Sequence, residues 1–149
     1  MIDFTPFEQR IEALIASLSP AGRRRLTVTI ARAMRQRQQQ RIKSQTAPDG
    51  SAYTPRKQQP IKGKKGRIKQ EMFAKMRTSR YMKASGDDSA AAVEFTGKVQ
   101  RIARVHQYGL KDKPSRKGVT LVYPERILLG LSREDMMMIE KNILDNLLR

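Results

Sequence analysis

Nearly all of the chain's excess positive charge lies in one segment, and this limits where that segment can sit in a fold. The sequence has a net charge of +17, and residues 23–83 contain 19 lysines and arginines against two acids, Asp49 and Glu71. The rest of the chain is balanced. Burying so many unpaired charges is prohibitive, so the segment must face water or a polyanion. Composition alone leaves both a solvated basic face and a contact with nucleic acid open. The candidates to face a polyanion are Arg23, Arg24, Arg25, Arg35, Arg37, Arg41, Arg56, Lys57, Lys62, Lys64, Lys65 and Arg67.

Length and composition narrow the class of protein. The chain has 149 residues, enough for one domain over 1–149 with its own core. It has no cysteine, which excludes disulfide scaffolds, thiolate zinc sites and cysteine nucleophiles and fits folding in a reducing cytosol. We expect neither a signal peptide nor a membrane anchor, because no apolar run approaches the roughly 18–20 residues that cross a bilayer.

Three segments have the periodicity of amphipathic helices. Thr5, as the N-cap, and Glu8 predict a capping box at the start of the first helix, and Pro20 marks the start of a second, longer one. The second helix has a thin apolar stripe and a basic end, so we expect much of its length to project from the core or pack on a partner subunit. Ser132 and Asp135 predict a capping box for a helix that closes the chain. The apolar stripe of the second helix comprises Leu26, Ile30, Ala33, Met34 and Ile42, and that of the last helix Met136, Ile139, Ile143 and Leu147.

The middle of the chain alternates loops, strands and short helices. Residues 46–66 predict a basic, mobile loop with a turn at 48–50. Residues 67–81 predict a short helix whose apolar side, for the core or an interface, comprises Ile68, Met72, Phe73 and Met76. A hairpin follows across the Gly-Asp-Asp turn at 86–88, then a helix that ends at Gly109 and a third strand that Pro124 terminates. The pattern predicts an α+β fold, a small antiparallel sheet flanked by helices, with a long N-terminal helical pair and a C-terminal helix.

The sequence offers little for catalysis and no cofactor motif. His106 is the only histidine, so a pair of histidine ligands for a metal is excluded, and no Gly-rich phosphate loop is present. Asp87 and Asp88 are adjacent, but their place beside a glycine favours hairpin-turn chemistry. We interpret His106 as a packing residue beside Tyr108 rather than a general base. It should tolerate glutamine but not aspartate, because Arg104 points to a different face of the helix and leaves no cation for a buried carboxylate.

Two stretches in the C-terminal half form a recognisable pattern. The first reads Ile-Ala-Arg-x-His-Gln-x-Gly, and after a variable loop the second reads Tyr-Pro-x-Arg-x-Leu-Leu-Gly-Leu-Ser before a closing helix. This pattern resembles the signature of the phage virion morphogenesis family, the tail completion protein S group of contractile-tailed phages such as Mu-like prophages. Residues 19–35 and 48–57 also resemble the family, so the likeness covers nearly the whole chain. The motif residues that we interpret as assembly determinants are Ile102, Ala103, Arg104, His106, Gln107, Tyr108, Gly109, Tyr123, Pro124, Arg126, Leu129 and Gly130.

The resemblance implies a non-enzymatic virion protein that completes the tail at its head-proximal end, assembled in the host cytoplasm. It implies a homo-oligomeric ring, with a hexamer favoured and a dodecamer as the alternative. The partners would be other tail or neck proteins, with a contact to packaged DNA left open and no membrane involved. His106 would then be a joint that packs near Tyr108 and the turn at 124–129.

Two other function classes stay open at this point. A nucleic-acid-binding protein would grip phosphates with the basic segment 23–83, and its affinity would fall steeply with salt. A small enzyme acting on polyanions would depend on His106 for activity but not for folding.

Overall fold

A computed structural model describes residues 3–56, 71–114 and 116–148. The expected α+β class is confirmed, but the strands form two separate two-stranded sheets, β1–β2 and β3–β4, rather than one sheet. None of the helices among the described residues is long and apolar enough to span a membrane. The elements in chain order are α1 (Thr5–Ile15), α2 (Pro20–Lys43), β1 (Met82–Gly86), β2 (Ala91–Phe95), a short 3-10 turn (Gly97–Val99), α3 (Gln100–Tyr108), β3 (Lys111–Asp112), β4 (Leu121–Val122) and α4 (Arg133–Leu147).

The chain divides into two compact units, each built from separate stretches of sequence. The first comprises Met1–Arg37, Lys83–Glu94 and Leu131–Arg149, and the second Gln38–Met82 and Phe95–Gly130. The helix α2 runs without a break through the boundary at residue 37. The expectation of a single domain over 1–149 stays a prediction.

The core of the first unit joins α1, the first half of α2 and α4. Leu26, Ile30 and Met34 recur every four residues on α2, so they share one face, and Ile143 of α4 is buried with them. The predicted stripes are therefore confirmed in this core for Leu26, Ile30 and Met34 of α2 and for Ile139, Ile143 and Leu147 of α4, whereas Ala33 and Met136 are half-buried outside the cluster. Around these four pack Ile11, Leu14, Ile15, Leu18, Val93, Leu131, Met138, Ile139 and Leu147.

The two terminal helices of the first unit, α1 and α4, have different N-terminal caps. The capping box of α4 is confirmed: the Asp135 amide donates to Ser132 Oγ, and the Ser132 amide to the Asp135 carboxylate. The capping box of α1 was predicted wrongly, because Phe4 is the N-cap and Thr5 is already helical. Asp3 takes the role instead, since its carboxylate accepts from the Thr5 amide at 3.0 Å.

The hairpin β1–β2 is confirmed, and its turn is tied to α2. Asp87 accepts hydrogen bonds from the amides of Ser89 and Ala90 at 2.7 and 2.8 Å, which is turn chemistry of the kind predicted for this aspartate pair. The turn carbonyl of Asp87 accepts from Thr27 Oγ1 at 2.6 Å, and that of Asp88 accepts from Arg23 Nε at 3.0 Å.

The second unit begins with the last turns of α2, which are more buried than the sequence suggested. The side chain of Gln38 is buried and Ile42 is fully buried. This end of the helix was expected to project from the core or pack on a partner subunit, but it is part of the core of the second unit. Residues 46–56 of the predicted loop belong to the same unit: Thr46 pairs with Ala52, and Tyr53 is buried. The predicted turn at 48–50 is confirmed by a hydrogen bond from the Gly50 amide to the Ala47 carbonyl at 2.9 Å. Residues 57–66 lie outside the described residues, so the mobility of the loop stays a prediction.

Two predicted elements of the second unit differ from the structure. Residues 71–81 form turns rather than a helix, because Phe73 has a left-handed φ of 68° that interrupts helical geometry, although Met72 and Met76 are buried as expected. Ile68 lies outside the described residues. The third strand shrinks to β4, which pairs antiparallel with the unpredicted β3, and Val122 is 68% exposed.

Candidate functional site

The second half of the family motif, residues 123–130, has no regular secondary structure, and side chains hold its backbone in place. Gln107 of α3 makes three hydrogen bonds to this backbone. Its Oε1 accepts from the amides of Leu128 and Leu129 at 2.9 and 3.0 Å, and its Nε2 donates to the Leu129 carbonyl at 2.9 Å. The amide side chain thus pairs with the segment as a neighbouring strand would, because it carries the same donor and acceptor as a peptide group.

A second glutamine, Gln38, forms hydrogen bonds with the backbone of Gly130 in the same way. Gln38 Nε2 donates to the Gly130 carbonyl at 3.0 Å, and its Oε1 accepts from the Gly130 amide at 3.2 Å. Arg41 Nη2 donates to the same carbonyl at 3.0 Å. A Cβ on residue 130 would lie 2.6 Å from Pro48 Cγ, so only glycine fits this approach without a shift. We call residues 123–130, held by Gln107 and Gln38, the motif strap.

The motif strap is also anchored by a buried arginine. Arg126 is 5% exposed, and its Nε donates to the Thr54 carbonyl at 2.7 Å while its Nη2 donates to the Pro55 carbonyl at 3.2 Å. Burial and the nearby charge of Arg56 lower the pKa of Arg126. Tyr53 completes the attachment, since its hydroxyl donates to the Ile127 carbonyl at 2.9 Å and burial raises its pKa to about 12.

His106 of α3 contacts the motif strap through Tyr123 and Arg126. Its ring is 7% exposed and makes edge-on contacts with the rings of Phe73 and Tyr123, at centroid distances of 4.8 and 5.2 Å. Its Nδ1 lies 3.1 Å from Arg126 Nη1. Because a guanidinium only donates, Nδ1 must accept, which makes the ring the neutral tautomer protonated at Nε2. Burial, with the charges of Arg126 and Arg56, lowers the pKa of His106 to about 4.

The predicted neighbour of His106 was partly wrong. The turn at 124–129 contacts it through Arg126 as expected, and the His106 carbonyl accepts from the Arg126 amide at 2.8 Å. Tyr108, however, is 64% exposed, and the rings packed on the imidazole are those of Phe73 and Tyr123. The helical period explains the error: residue 108 is only two positions from 106 and so lies on another face of α3.

The structure brings most of the motif residues together. Gly109 ends α3 with a left-handed φ of 62°, as a C-cap glycine should, and Ala103 is buried. Ile102, Gln107, Tyr123, Leu129 and Gly130 are half-buried. Arg104 and Pro124 are exposed, as is Tyr108, so these three do not share the buried cluster.

The polyanion candidates fall into three groups. Arg23, Arg37 and Arg41 make contacts within the chain: Arg37 pairs with Asp135, and Arg23 and Arg41 donate to carbonyls. Arg24, Arg25 and Arg56 are exposed and Arg35 is half-buried. Lys57, Lys62, Lys64, Lys65 and Arg67 lie outside the described residues.

Gln38 and Tyr53, which the sequence did not single out, complete the cluster around the motif strap, together with Phe73, which was expected only on the apolar side of a helix. A signal existed for one of them: Gln38 is four residues from both Met34 and Ile42, so it occupies an apolar-stripe position that predicts a buried amide. No local signal marks Tyr53, because its contacts are with residues far along the chain. The apolar pattern around Phe73 predicts burial but not its contact with His106. Within the described ranges, no group of three or more acidic or histidine side chains is placed to hold a metal ion.

Comparison with known proteins places the chain in a family. Residues 2–148 match the phage virion morphogenesis family. The chain is also 47% identical, over 150 residues that cover all of both chains, to the tail completion protein S of Escherichia phage P2. No solved structure matches it. The chain therefore belongs to the phage virion morphogenesis family.

Proposed function

We propose that this chain is a structural, non-enzymatic virion protein that completes the phage tail at its head-proximal end, where the tail joins the neck. The observation that carries the proposal is the full-length identity of 47% to a tail completion protein of phage P2. The site supports it, because His106 is buried, neutral and engaged by Arg126, as suits a packing joint. Two other motif residues, Gln107 and Arg126, also have a structural role, because their side chains form hydrogen bonds with backbone groups.

Genetic complementation tests the proposal. A phage that lacks this gene should make filled heads and tails that do not join, and the chain supplied in trans should restore infectious particles. Electron micrographs of the lysate would count joined and separate parts. Normal particle numbers without the gene would overturn the role in tail completion.

We expect the protein to act as a homo-oligomeric ring that contacts other tail or neck proteins in the virion. The six-fold symmetry that the family resemblance implies for the tail favours a hexamer, with a twelve-fold neck ring as the alternative. A reconstruction of the virion that placed the chain as an isolated monomer would contradict the ring.

A second candidate function is binding to nucleic acid, and the surface of α2 favours it. Within the first unit, the exposed residues of this helix recur every three or four positions, which makes one polar face about 17 Å long. That face suits phosphates, since it offers donors and positive charge. Its members are Arg25, Thr29, Arg32 and Gln36, with Arg24 beside them.

A further inference from the structure

Exposed apolar side chains concentrate in two patches. Seven large apolar side chains are exposed among the described residues, and six of them belong to these patches, so the exposure is not scattered. The ribbon patch comprises Val119, Leu121 and Val122, which are 74%, 41% and 68% exposed. The helix patch, on α4 and its C-cap residue, comprises Met137, Leu144 and Leu148, which are 69%, 45% and 85% exposed.

The geometry of each patch leaves it uncovered. Leu121 and Val122 are neighbours on β4, so their side chains point to opposite faces of the β3–β4 ribbon, and both faces are open. Met137, Leu144 and Leu148 are spaced seven and four residues apart, which places them on one face of α4. The core stripe of α4 lies on a different face, so this helix is apolar on two sides.

The two patches have opposite electrostatic surroundings. The ribbon segment 111–122 contains four basic residues and one acid, Asp112, which pairs with Arg101. One of the four acids of α4, Asp135, is buried and pairs with Arg37. At the surface, α4 and α1, which packs against it, carry five acids and three basic residues: Glu8, Glu12, Glu134, Glu140 and Asp145 against Arg10, Arg133 and Lys141. A negative surface of this kind is distinctive in a chain of net charge +17.

We propose that the ribbon patch of one copy docks on the helix patch of the next copy. This inference rests on the proposed function, because it names the surfaces by which the ring subunits join. A ring needs two different surfaces on each subunit, joined head to tail, and the chain offers two apolar patches of opposite charge. Pairing either patch with its own copy would set like charges together, which disfavours a symmetric dimer.

Cross-linking tests the pairing directly, because the chain has no cysteine of its own. Val122→Cys and Leu144→Cys would be placed in two chains that carry different tags. Each variant would be purified alone, and the two would also be purified together after co-expression. All three samples would be treated with a short bismaleimide. The expected result is a cross-linked species that carries both tags, with little cross-linking of either variant alone. Cross-linking of one variant alone, at a yield equal to the mixture, would overturn the head-to-tail pairing.

Charge reversal provides the second arm. Lys117→Glu on the ribbon and Glu134→Lys beside Met137 should each weaken self-association at low salt by roughly tenfold. Both changes in one chain should restore it, because every interface then has the opposite charges again. Glu94→Lys, an exposed change on β2, is the control and should leave association unchanged. Failure of the double variant to recover would overturn the proposed contact.

Sedimentation of the unmodified protein separates the two ways of failing. If the protein forms oligomers but neither arm behaves as expected, the ring stands and the proposed interface is wrong. If the protein stays monomeric at all concentrations, the ring fails and this interface fails with it, while the complementation assay still decides the role in tail completion.

Discussion

The state of His106 follows from one contact. Arg126 can only donate, so the imidazole that lies 3.1 Å from it must present a bare nitrogen, and protonating that nitrogen would set two buried cations together. The residue therefore contributes to stability only while it is neutral. This is a property of the packed site, since residues 106 and 126 are far apart in sequence.

The pH dependence of unfolding should report this state. The pKa of His106 falls from an ordinary value near 6.5 to about 4, so between these pH values the unfolded chain binds a proton that the folded chain does not. The free energy of unfolding should therefore fall by about 2 kcal/mol as the pH drops from 7 to 5. Urea titrations across this range measure it. His106→Gln has no group to titrate and should flatten the curve; an unchanged slope in this variant would refute the assignment.

Two substitutions of His106 should separate the contribution of its hydrogen bond with Arg126 from the contribution of the volume of its ring. His106→Leu leaves Arg126 Nη1 without its acceptor and should cost about 1–3 kcal/mol, whereas His106→Gln keeps an acceptor and should cost less. Chemical denaturation at pH 7 compares them. Equal losses in both variants would mean that packing, not the hydrogen bond, decides stability.

The expectation for His106→Asp needs correction. It rested on the absence of a cation, but the structure places Arg126 beside the imidazole, so a carboxylate at this position would have a buried partner. Arg104, the basic residue nearest to His106 in sequence, is exposed, and only residues on the same helix can be placed relative to His106 from sequence alone.

At the level of single elements, the motif strap shows how an irregular segment can be held without a sheet. Its amides and carbonyls are buried in part, and leaving them unpaired would cost free energy. Gln107 and Gln38 meet three of its residues, Leu128, Leu129 and Gly130. Helices α2 and α3 thereby provide the fixed positions that an adjacent strand would otherwise supply.

Replacing Gln107 should loosen the motif strap. Gln107→Leu keeps similar volume but removes one donor and one acceptor that serve three backbone groups, so we expect a loss of about 2–4 kcal/mol in unfolding free energy. The matched control is Gln100→Leu, at an exposed position of the same helix, which should have little effect. Similar losses in both variants, measured by urea denaturation, would contradict the role of Gln107.

The approach of Pro48 to Gly130 should show as a coupling between the two positions. Gly130→Ala places a methyl group 2.6 Å from Pro48 Cγ and should cost roughly 1–3 kcal/mol. In a Pro48→Ala background the same change should cost much less, because the ring carbon is gone. A double-mutant cycle measures the coupling energy. Independent, additive effects would show that the contact does not limit residue 130.

At the level of the whole molecule, the charge is unevenly spread between elements. The first and last helices together carry six acids and three basic residues, while α2 presents its basic and polar face to solvent. Several basic residues of the 23–83 segment are engaged within the chain, which reduces the number free to meet a polyanion. The exposed arginines of α2 are the group on which a nucleic-acid function would depend.

Salt titration of DNA binding tests that group. If α2 contacts phosphates, Arg25→Gln with Arg32→Gln should weaken binding to duplex DNA and reduce the slope of log affinity against log salt by about 2. Lys141→Gln is the control, since this exposed residue pairs with Asp145 on α4. Binding that is weak in the unmodified protein, or a slope that the double variant leaves unchanged, would argue against the nucleic-acid function.

The sequence by itself determined the elements whose signals are local. The capping box at Ser132, the C-cap at Gly109 and the hairpin turn at 86–88 each depend on residues a few positions apart, so their patterns could be read directly. Only the tertiary structure decided the motif strap, the neutral state of His106 and the burial of Gln38. Each depends on groups brought together from distant parts of the chain, and periodicity carries no information about which side chain will meet which backbone group. The local helix signal at 67–81 failed for the same reason over its described part, where tertiary contacts hold Phe73 against His106.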